Sequence, residues 1–327
     1  MKETDIRNRD ILKRYLELVQ QDCSNFLNSE KAIAEVNCPG CGNNKYVSEF
    51  RKSAFEYVTC LSCRTLYART RLTFDSLKWF YAQSKSTEFW VKEFFAPVAE
   101  ARRGRIFKPR AEFIAKHFGN DQRWHIGDIG AGFGLFLDEL RKIWPLSNYT
   151  AIEPSIEQAE IFKKLNMKVE CSTLEELNGY DNSFDLLTAF ELFEHLYDPK
   201  AFLDSVLGLL KKGGWFYLTT LNGEGFDIQM LWENSKSIYP PCHINFFNPE
   251  SMAKLLTKVG FEVTQIDTPG QLDWDIVEGA ILNDKIDAGR FWKTFAREAN
   301  TESKNELQDW IKKYNLSSHM RILARKK

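Results

Sequence analysis

The sequence predicts an α/β fold, a doubly wound and mostly parallel sheet with a small metal-binding ribbon in front of it and helical additions. Three observations predict it. From residue 124 onward, runs with strand patterning alternate with runs of helical periodicity. A glycine-rich turn, "DIGAGFG" at 128–134, follows the first of those strands and opens the first of those helices. Upstream, two Cys-x-x-Cys pairs stand 18 residues apart.

The elements follow in chain order. Residues 1–36 read as an N-terminal helix, with Ile11, Leu12, Tyr15, Leu16, Val19, Cys23 and Phe26 at helical spacing. Residues 37–72 turn to Cys, Gly, Pro and Asn, then to short runs such as "FEYVTC" and "RTLYAR", the texture of a ribbon. Residues 73–118 are rich in aromatics and charges and read as a helical linker or cap. The alternation then runs through 119–270. "WHIGDIGAG" is a strand with its turn and "FGLFLDELRKI" a helix. "YTAIEPS" and "IEQAEIFKKLN" repeat the unit. "MKVECST" is a strand, "FDLLTAFE" a buried one, and "PKAFLDSVLGLLKKGG" a helix. "WFYLTTLN", "PESMAKLLTKVG" and "FEVTQIDT" add strand, helix and strand. Residues 271–315 form a polar helical insertion, and 316–327, with "SSHMRILARKK", return to the sheet as a last strand.

The 327 residues are 43% hydrophobic, enough for a sizeable core, and the net charge of −1 gives no global signature of nucleic-acid binding. No apolar run is long enough to span a bilayer, and "MKETDIRNRD" lacks a signal-peptide apolar region. A cytoplasmic location is expected. There, clustered cysteines point to metal rather than disulfides.

Cys38-Pro-Gly-Cys41 and Cys60-Leu-Ser-Cys63 are two knuckles, each aiming two thiolates at one point. Four thiolates fill a tetrahedral site and leave no position for water, so structural zinc is expected. Iron fits the same geometry as a lesser alternative. Loss of Cys60 is expected to destabilise the N-terminal region and leave the large domain folded. Cys23, Cys171 and Cys242 are scattered and read as plain core or surface thiols.

In the glycine turn, Gly130 permits the tight bend and Gly132 a close ligand approach, ahead of a helix N-terminus with free N–H groups. The sixth position of a dinucleotide fingerprint takes Gly or Ala; Leu135 stands there, which speaks against NAD. Glu153 ends the next strand, where an acid can accept hydrogen bonds from ribose hydroxyls or simply be solvated before Pro154.

With "DIGAGFG", Glu153, "FDLLTAFELFEHLYDP" and "GGWFYLTTLN", the chain resembles the class I S-adenosylmethionine-dependent methyltransferases over roughly 105–270 plus the last strand. The resemblance implies a Rossmann-like sheet with S-adenosylmethionine held by Gly130, Gly132, Gly134 and Glu153, with Asp128 and Phe190 beside it. An acid near the adenine is replaced by Cys171-Ser172-Thr173-Leu174, so a hydroxyl or backbone group must serve. Arg102, Arg103 and Arg110 are candidates for the cofactor carboxylate or plain helix charges. The layout with its ribbon, together with "ARRGRIFKPRAEF" and "CHINFFNPESM", is similar to bacterial methyltransferases of sugar, glycan and secondary-metabolite pathways. It implies O-methylation of a sugar, glycan precursor or other small hydroxylated acceptor.

"FELFEHLYDP" follows the fourth strand, at the sheet edge where ligands bind. Glu191, Glu194 and His195 are spaced i, i+3, i+4, which places them on one face of a helical turn. With His243 in "PPCHINFF" they form a candidate site for Mg, Mn or a similar divalent ion. The pattern resembles metal-dependent O-methyltransferases, among them small-RNA 2′-O-methyltransferases and ubiquinone-pathway enzymes. Alternatives are His195 or His243 as a metal-free general base, or plain packing at a helix start. Two further functions stay open: an RNA methyltransferase gripping RNA through the basic and aromatic "FRKSAFEYVTCLSCRTLYARTR", and a non-catalytic cofactor-binding scaffold. The acceptor and the oligomeric state are not fixed.

Overall fold

The structure, a computed structural model, describes residues 1–27 and 32–327, without the side chains of residues 26 and 27. Phe26 as a helix contact, and 28–31 of the expected N-terminal segment, therefore lie outside the described residues. Seven strands form the main sheet: β1 (His125–Ile129), β2 (Asn148–Ile152), β3 (Lys168–Glu170), β4 (Phe184–Phe190), β5 (Leu210–Leu221), β6 (Phe261–Asp267) and β7 (His319–Lys326). Their order is β6-β7-β5-β4-β1-β2-β3. β7 runs antiparallel to both neighbours, and every other pairing is parallel.

Helices cover both faces: α1 (Lys108–Phe118), α2 (Leu135–Ile143), α3 (Ile156–Lys164), α4 (Pro199–Leu209) and α5 (Pro249–Val259). Successive strand residues point to opposite faces, so a strand between two helical layers must be apolar throughout. β4 shows this directly. Leu186 packs with Ile114, Phe136 and Phe162 on the α1–α3 side. Its neighbour Leu187 packs with Phe202, Val206 and Leu256 on the α4–α5 side.

Two sequence readings shift. "LLKKGG" was expected to finish a helix, but α4 ends at Leu209 and β5 starts at Leu210. The pairing with β4 is irregular between Leu210 and Trp215, and Gly213 at φ +76° supplies the left-handed residue such a bulge needs. "MKVECST" contributes only the three residues of β3.

The ribbon hairpin runs through strands Tyr46–Lys52, Phe55–Cys60 and Leu66–Ala68. A fourth strand, Asn245–Phe246, joins it antiparallel from the large domain, with Asn245 opposite Tyr67 and Phe246 opposite Leu66. The expectation of a ribbon separable from the large domain is therefore corrected: the two share a sheet. They also share a core. Leu12 and Val19 of the N-terminal helix (Arg9–Leu27), Tyr57 of the ribbon, and Ile238 and Ile244 belong to one buried cluster. In the insertion, helices Asp273–Leu282, Arg290–Glu298 and Thr301–Lys313 carry a smaller cluster built on Trp274, Val277 and Ala296.

Because of the shared sheet, Cys60→Ser is expected to lower the melting temperature of the whole chain in one cooperative transition. Calorimetry that shows a separate early transition, with the main one unmoved, would contradict this.

Candidate functional site

The knuckles are built alike. Gly42 N–H donates to Cys38 O (2.8 Å) and Arg64 N–H to Cys60 O (2.9 Å). The residue after each second cysteine is left-handed, Gly42 at φ +80° and Arg64 at φ +58°. The four Sγ atoms lie within 4.8 Å of one another, with Cys38–Cys63 at 3.4 Å and Cys41–Cys60 at 3.5 Å. A disulfide would need about 2.05 Å. A tetrahedron of sulfurs about 2.3 Å from zinc has edges of roughly 3.8 Å. The spacing fits a four-thiolate metal site and not a pair of disulfides. Among the other thiols Cys23 and Cys242 are buried and Cys171 is exposed.

At the other end of the chain's chemistry, the turn after β1 places Gly130, Gly132 and Gly134 at φ +67°, +54° and +68°, a conformation that costs other residues energy. A Cβ on Gly134 would lie 2.6 Å from the Phe162 ring, so this position also needs the missing side chain. Glu153 binds the turn itself. Its Oε2 accepts from Gly132 N–H (2.8 Å) and its Oε1 from Ser155 N–H (3.0 Å). Burial raises its carboxyl, against those two N–H donors. The Gln158 side-chain nitrogen donates to both oxygens as well (3.1 and 3.2 Å), and ligand hydroxyls would take its place. Asp128 is buried under the turn. Burial pushes its carboxyl up to about 7, against the hydrogen bond donated by Thr188 Oγ1 (2.6 Å).

Two further polar atoms are orphaned. Ser172 Oγ, in the stretch expected near the adenine, is buried without a partner. Arg102 Nε is buried without one as well. The Arg102 guanidinium lies 4.6 Å over Phe95, and Phe95 stacks on Phe133 of the turn at 4.7 Å. Burial, then neighbouring Arg110, pushes Arg102 down to about 10. A bound anion would reverse both effects. Arg103, by contrast, is consumed by Glu100, Asp138 and Glu139.

Beyond β4 the sequence reading needs a correction. Glu191, Glu194 and His195 do not share a helical face. Glu191 is left-handed at φ +51°, and only Phe193–His195 form a single 3-10 turn. Glu191 points to Arg110 and accepts from Thr219 Oγ1 (2.7 Å), with His319 Nδ1 3.5 Å away. Burial alone would raise its carboxyl; His319, Arg110 and Thr219 outweigh that and hold it at about 2. Phe190, the last residue of β4, packs edge-on against Phe136 and beneath Arg110.

Glu194, His195 and His243 do come together, each offering a ligand atom within 4.8 Å of the others. The imidazoles are 4.6 Å apart between centroids. His243 Nδ1–H donates to Ser237 O (2.7 Å), so its Nε2 keeps the lone pair. His195 Nδ1 lies 2.9 Å from Tyr81 Oη. Glu194 Oε2 accepts from Thr220 Oγ1 (2.8 Å). Burial, with the Glu191 charge, pushes the Glu194 carboxyl up to about 8; burial holds His195 down at about 4, and burial with neighbouring His195 lowers His243 well below the usual imidazole range. His243, oriented through Nδ1 with a bare Nε2, is in the form that ligates a metal, and His195 is oriented at Nδ1 by a hydroxyl that can accept or donate. The trio fits a divalent ion; the fourth expected ligand, Glu191, is committed elsewhere.

Sequence reasoning missed His319, Tyr81, Tyr57 and Arg71. His319 stands opposite Leu221 at the end of β5, so an antiparallel last strand carries it to the ligand edge. That signal was present in "SSHMRILARKK". Tyr57 and Arg71 lie in the basic and aromatic stretch read as a possible RNA grip, which gave them a different task, and Tyr81 lies in a stretch with no motif.

Residues 98–266 match the family described as a methyltransferase domain. The ubiquinone biosynthesis O-methyltransferase of Parvibaculum lavamentivorans is 30% identical over 146 residues, 40% of this chain and 58% of that protein. The protein of the same name from Coxiella burnetii is 30% identical over 104 residues, 30% of this chain and 44% of that one. The chain thus spans about half the length of these curated relatives. Among solved structures, a plantazolicin methyltransferase in complex with SAH is 17% identical with a TM-score of 0.48, covering 77% of this chain and 94% of that one. With about half of its residues matched and the seven-stranded sheet in place, the chain belongs to the methyltransferase domain family, of the class I S-adenosylmethionine-dependent kind.

Proposed function

We propose that the protein transfers the methyl group of S-adenosylmethionine to an oxygen of a small hydroxylated acceptor, with a divalent cation held by Glu194, His195 and His243. The observation that carries the metal part is the convergence of these three side chains at the sheet's ligand edge, with both Nδ1 atoms already occupied. The cofactor supplies an electrophilic sulfonium methyl, and the protein's task is alignment. Gly130, Gly132 and Gly134 let it approach the backbone. Glu153 takes the ribose hydroxyls. Arg102 takes the carboxylate, and Ser172 Oγ serves the adenine. Glu194, His195 and His243 would hold a divalent cation there, which would lower the pKa of an acceptor hydroxyl.

Adjacent hydroxyls suit such a site, on an aromatic ring or on a sugar. The names of the curated relatives favour the ring; the layout with a ribbon favours the sugar. RNA is less well supported. In the ribbon, Lys52 binds Ser235 O, Arg64 pairs with Glu224 and Glu250, Arg69 with Glu35 and Glu56, and Arg71 is buried. Few of the basic side chains expected to grip a phosphate chain are free to do so.

Two outcomes test the reading. Chelation that leaves ribbon zinc in place, as measured by metal analysis, is expected to cut turnover about 100-fold, with Mg, Mn or Co restoring it. Full turnover without a divalent ion would sink the metal role and leave His195 or His243 as the base. Separately, Arg102→Ala is expected to weaken S-adenosylmethionine binding about tenfold or more, the worth of one charge-assisted hydrogen bond. His243→Ala should leave that affinity within about twofold and lower kcat about 100-fold. Calorimetry and steady-state kinetics separate the two; equal losses of cofactor affinity in both variants would refute the assignment.

A further inference from the structure

We infer that the N-terminal ribbon module is a working part of the catalytic edge, with Tyr57 and Arg71 as positioning residues that hold the two histidines of the divalent site. The inference rests on the reading of Glu194, His195 and His243 as that site.

The contacts start at the backbone next to each imidazole. Tyr57, fully buried in the ribbon, donates its hydroxyl to His243 O (2.8 Å). One residue on, Ile244 O accepts from Ala68 N–H of the ribbon (2.9 Å). The ribbon sheet therefore holds two successive carbonyls, that of His243 and that of Ile244. Arg71 reaches further. Its guanidinium is 1% exposed, and no carboxylate lies within ion-pair distance of it among the described residues. Its donors go instead to Ala68 O (2.9 Å), Tyr197 O (3.3 Å), Ile244 O (3.4 Å) and Asn245 Oδ1 (3.2 Å). Tyr197 lies two residues past His195, and Ile244 one past His243. One buried side chain thus spans the exits of both histidine segments.

Asn245 completes the clamp. While its Oδ1 accepts from Arg71, its Nδ2 donates to Leu196 O (2.7 Å), the residue after His195. Ile244 N–H donates to Glu194 O (2.9 Å). A buried guanidinium without a counter-charge is retained only where hydrogen bonds replace that charge, and Arg71 makes four. Here the acceptors are backbone carbonyls and one amide, which can be in place only when both segments hold this arrangement. The zinc knuckle is one step away: Asn248 Nδ2 donates to Cys63 O (3.1 Å). Cys38, Cys41, Cys60 and Cys63 would hold a zinc ion that stiffens this sheet and clamp without touching the histidines.

The test uses the full-length protein with Tyr57→Phe, which removes one oxygen atom, and Arg71→Lys, which keeps the charge and loses the fork. Mn2+ is the probe, followed by electron paramagnetic resonance, and the imidazole 15N resonances of His195 and His243 are recorded without added metal. We expect Mn2+ affinity to fall about tenfold in Tyr57→Phe, the usual cost of losing an orienting contact behind a ligand. S-adenosylmethionine affinity should stay within about twofold. The 15N pattern should change from one defined tautomer at His243 to an averaged one. Wild-type Mn2+ affinity together with a wild-type 15N pattern in Tyr57→Phe would overturn the inference, even if Arg71→Lys fails to fold. Should the parent protein bind no Mn2+, the divalent reading itself fails, and the 15N pattern alone decides whether the ribbon positions these histidines.

Discussion

The antiparallel pairing between residues 66–68 and 244–246 is the constraint on which the rest of the site depends. A two-residue strand contributes little stability by itself. Its value is that the ribbon hairpin cannot shift without carrying the His243 segment along. Four thiolates around one ion would make that hairpin stiff, since a closed tetrahedral site tolerates little distortion. The stiffness passes into a sheet edge, and from there into a loop that would otherwise be free to choose among conformations. Loops that carry chemistry need such support from a rigid neighbour. Here the support comes from the other end of the sequence.

The sheet sets the second half of the geometry. Parallel strands deliver their carboxyl ends to one edge, and β1, β2, β4 and β5 bring the glycine turn, Glu153, Glu191 and Thr219 with Thr220 to it. Glu191 marks where this edge is forced. A left-handed glutamate is uncommon and costs on the order of 1 kcal/mol or more. Glu191 N–H donates to Thr219 O (3.0 Å), and its carboxylate is bound by Arg110 and Thr219 Oγ1. The backbone is held there because the side chain is. In consequence Glu191 faces Arg110 and His319, while Glu194, three residues on, faces the opposite group of partners.

The strand and helix order of the large domain was legible because a doubly covered parallel sheet writes itself as apolar runs separated by helical periodicity. The glycine turn and the cysteine knuckles were legible because close backbone approach and thiolate ligation each demand particular residues at fixed spacing. What the sequence did not disclose is tertiary. Nothing local tells that Asn245–Phe246 would pair with a hairpin some 180 residues upstream, and so the ribbon read as a separable unit. Helical spacing predicted a shared face for Glu191 and Glu194, but no helix runs through both: Arg110 and Thr219 hold Glu191 left-handed and only Phe193–His195 turn. Arg71 and Tyr57 stood in the basic and aromatic stretch read as an RNA grip, and nothing in it pointed to a positioning role. A positioning residue acts through the backbone of another segment, and backbone carbonyls leave no trace in composition.

The separation of Glu191 from the trio has an electrostatic meaning. On the proposed reading, Glu194 and two neutral imidazoles leave a divalent ion with one uncancelled positive charge. That charge is what acidifies an acceptor hydroxyl. A second carboxylate as ligand would cancel it. Two unit charges 4 Å apart interact by about 4 kcal/mol at an effective dielectric constant of 20, which is roughly three pKa units on the hydroxyl. Arg110 keeps Glu191 ionised and occupied a short distance away. It thereby preserves the acidity of the acceptor while Glu191 still offers a counter-charge to cations at the cofactor side, Arg102 among them. On that reading one carboxylate would serve as ligand and the other as the field around it, and the left-handed Glu191 after β4 is what lets two glutamates three residues apart face different partners.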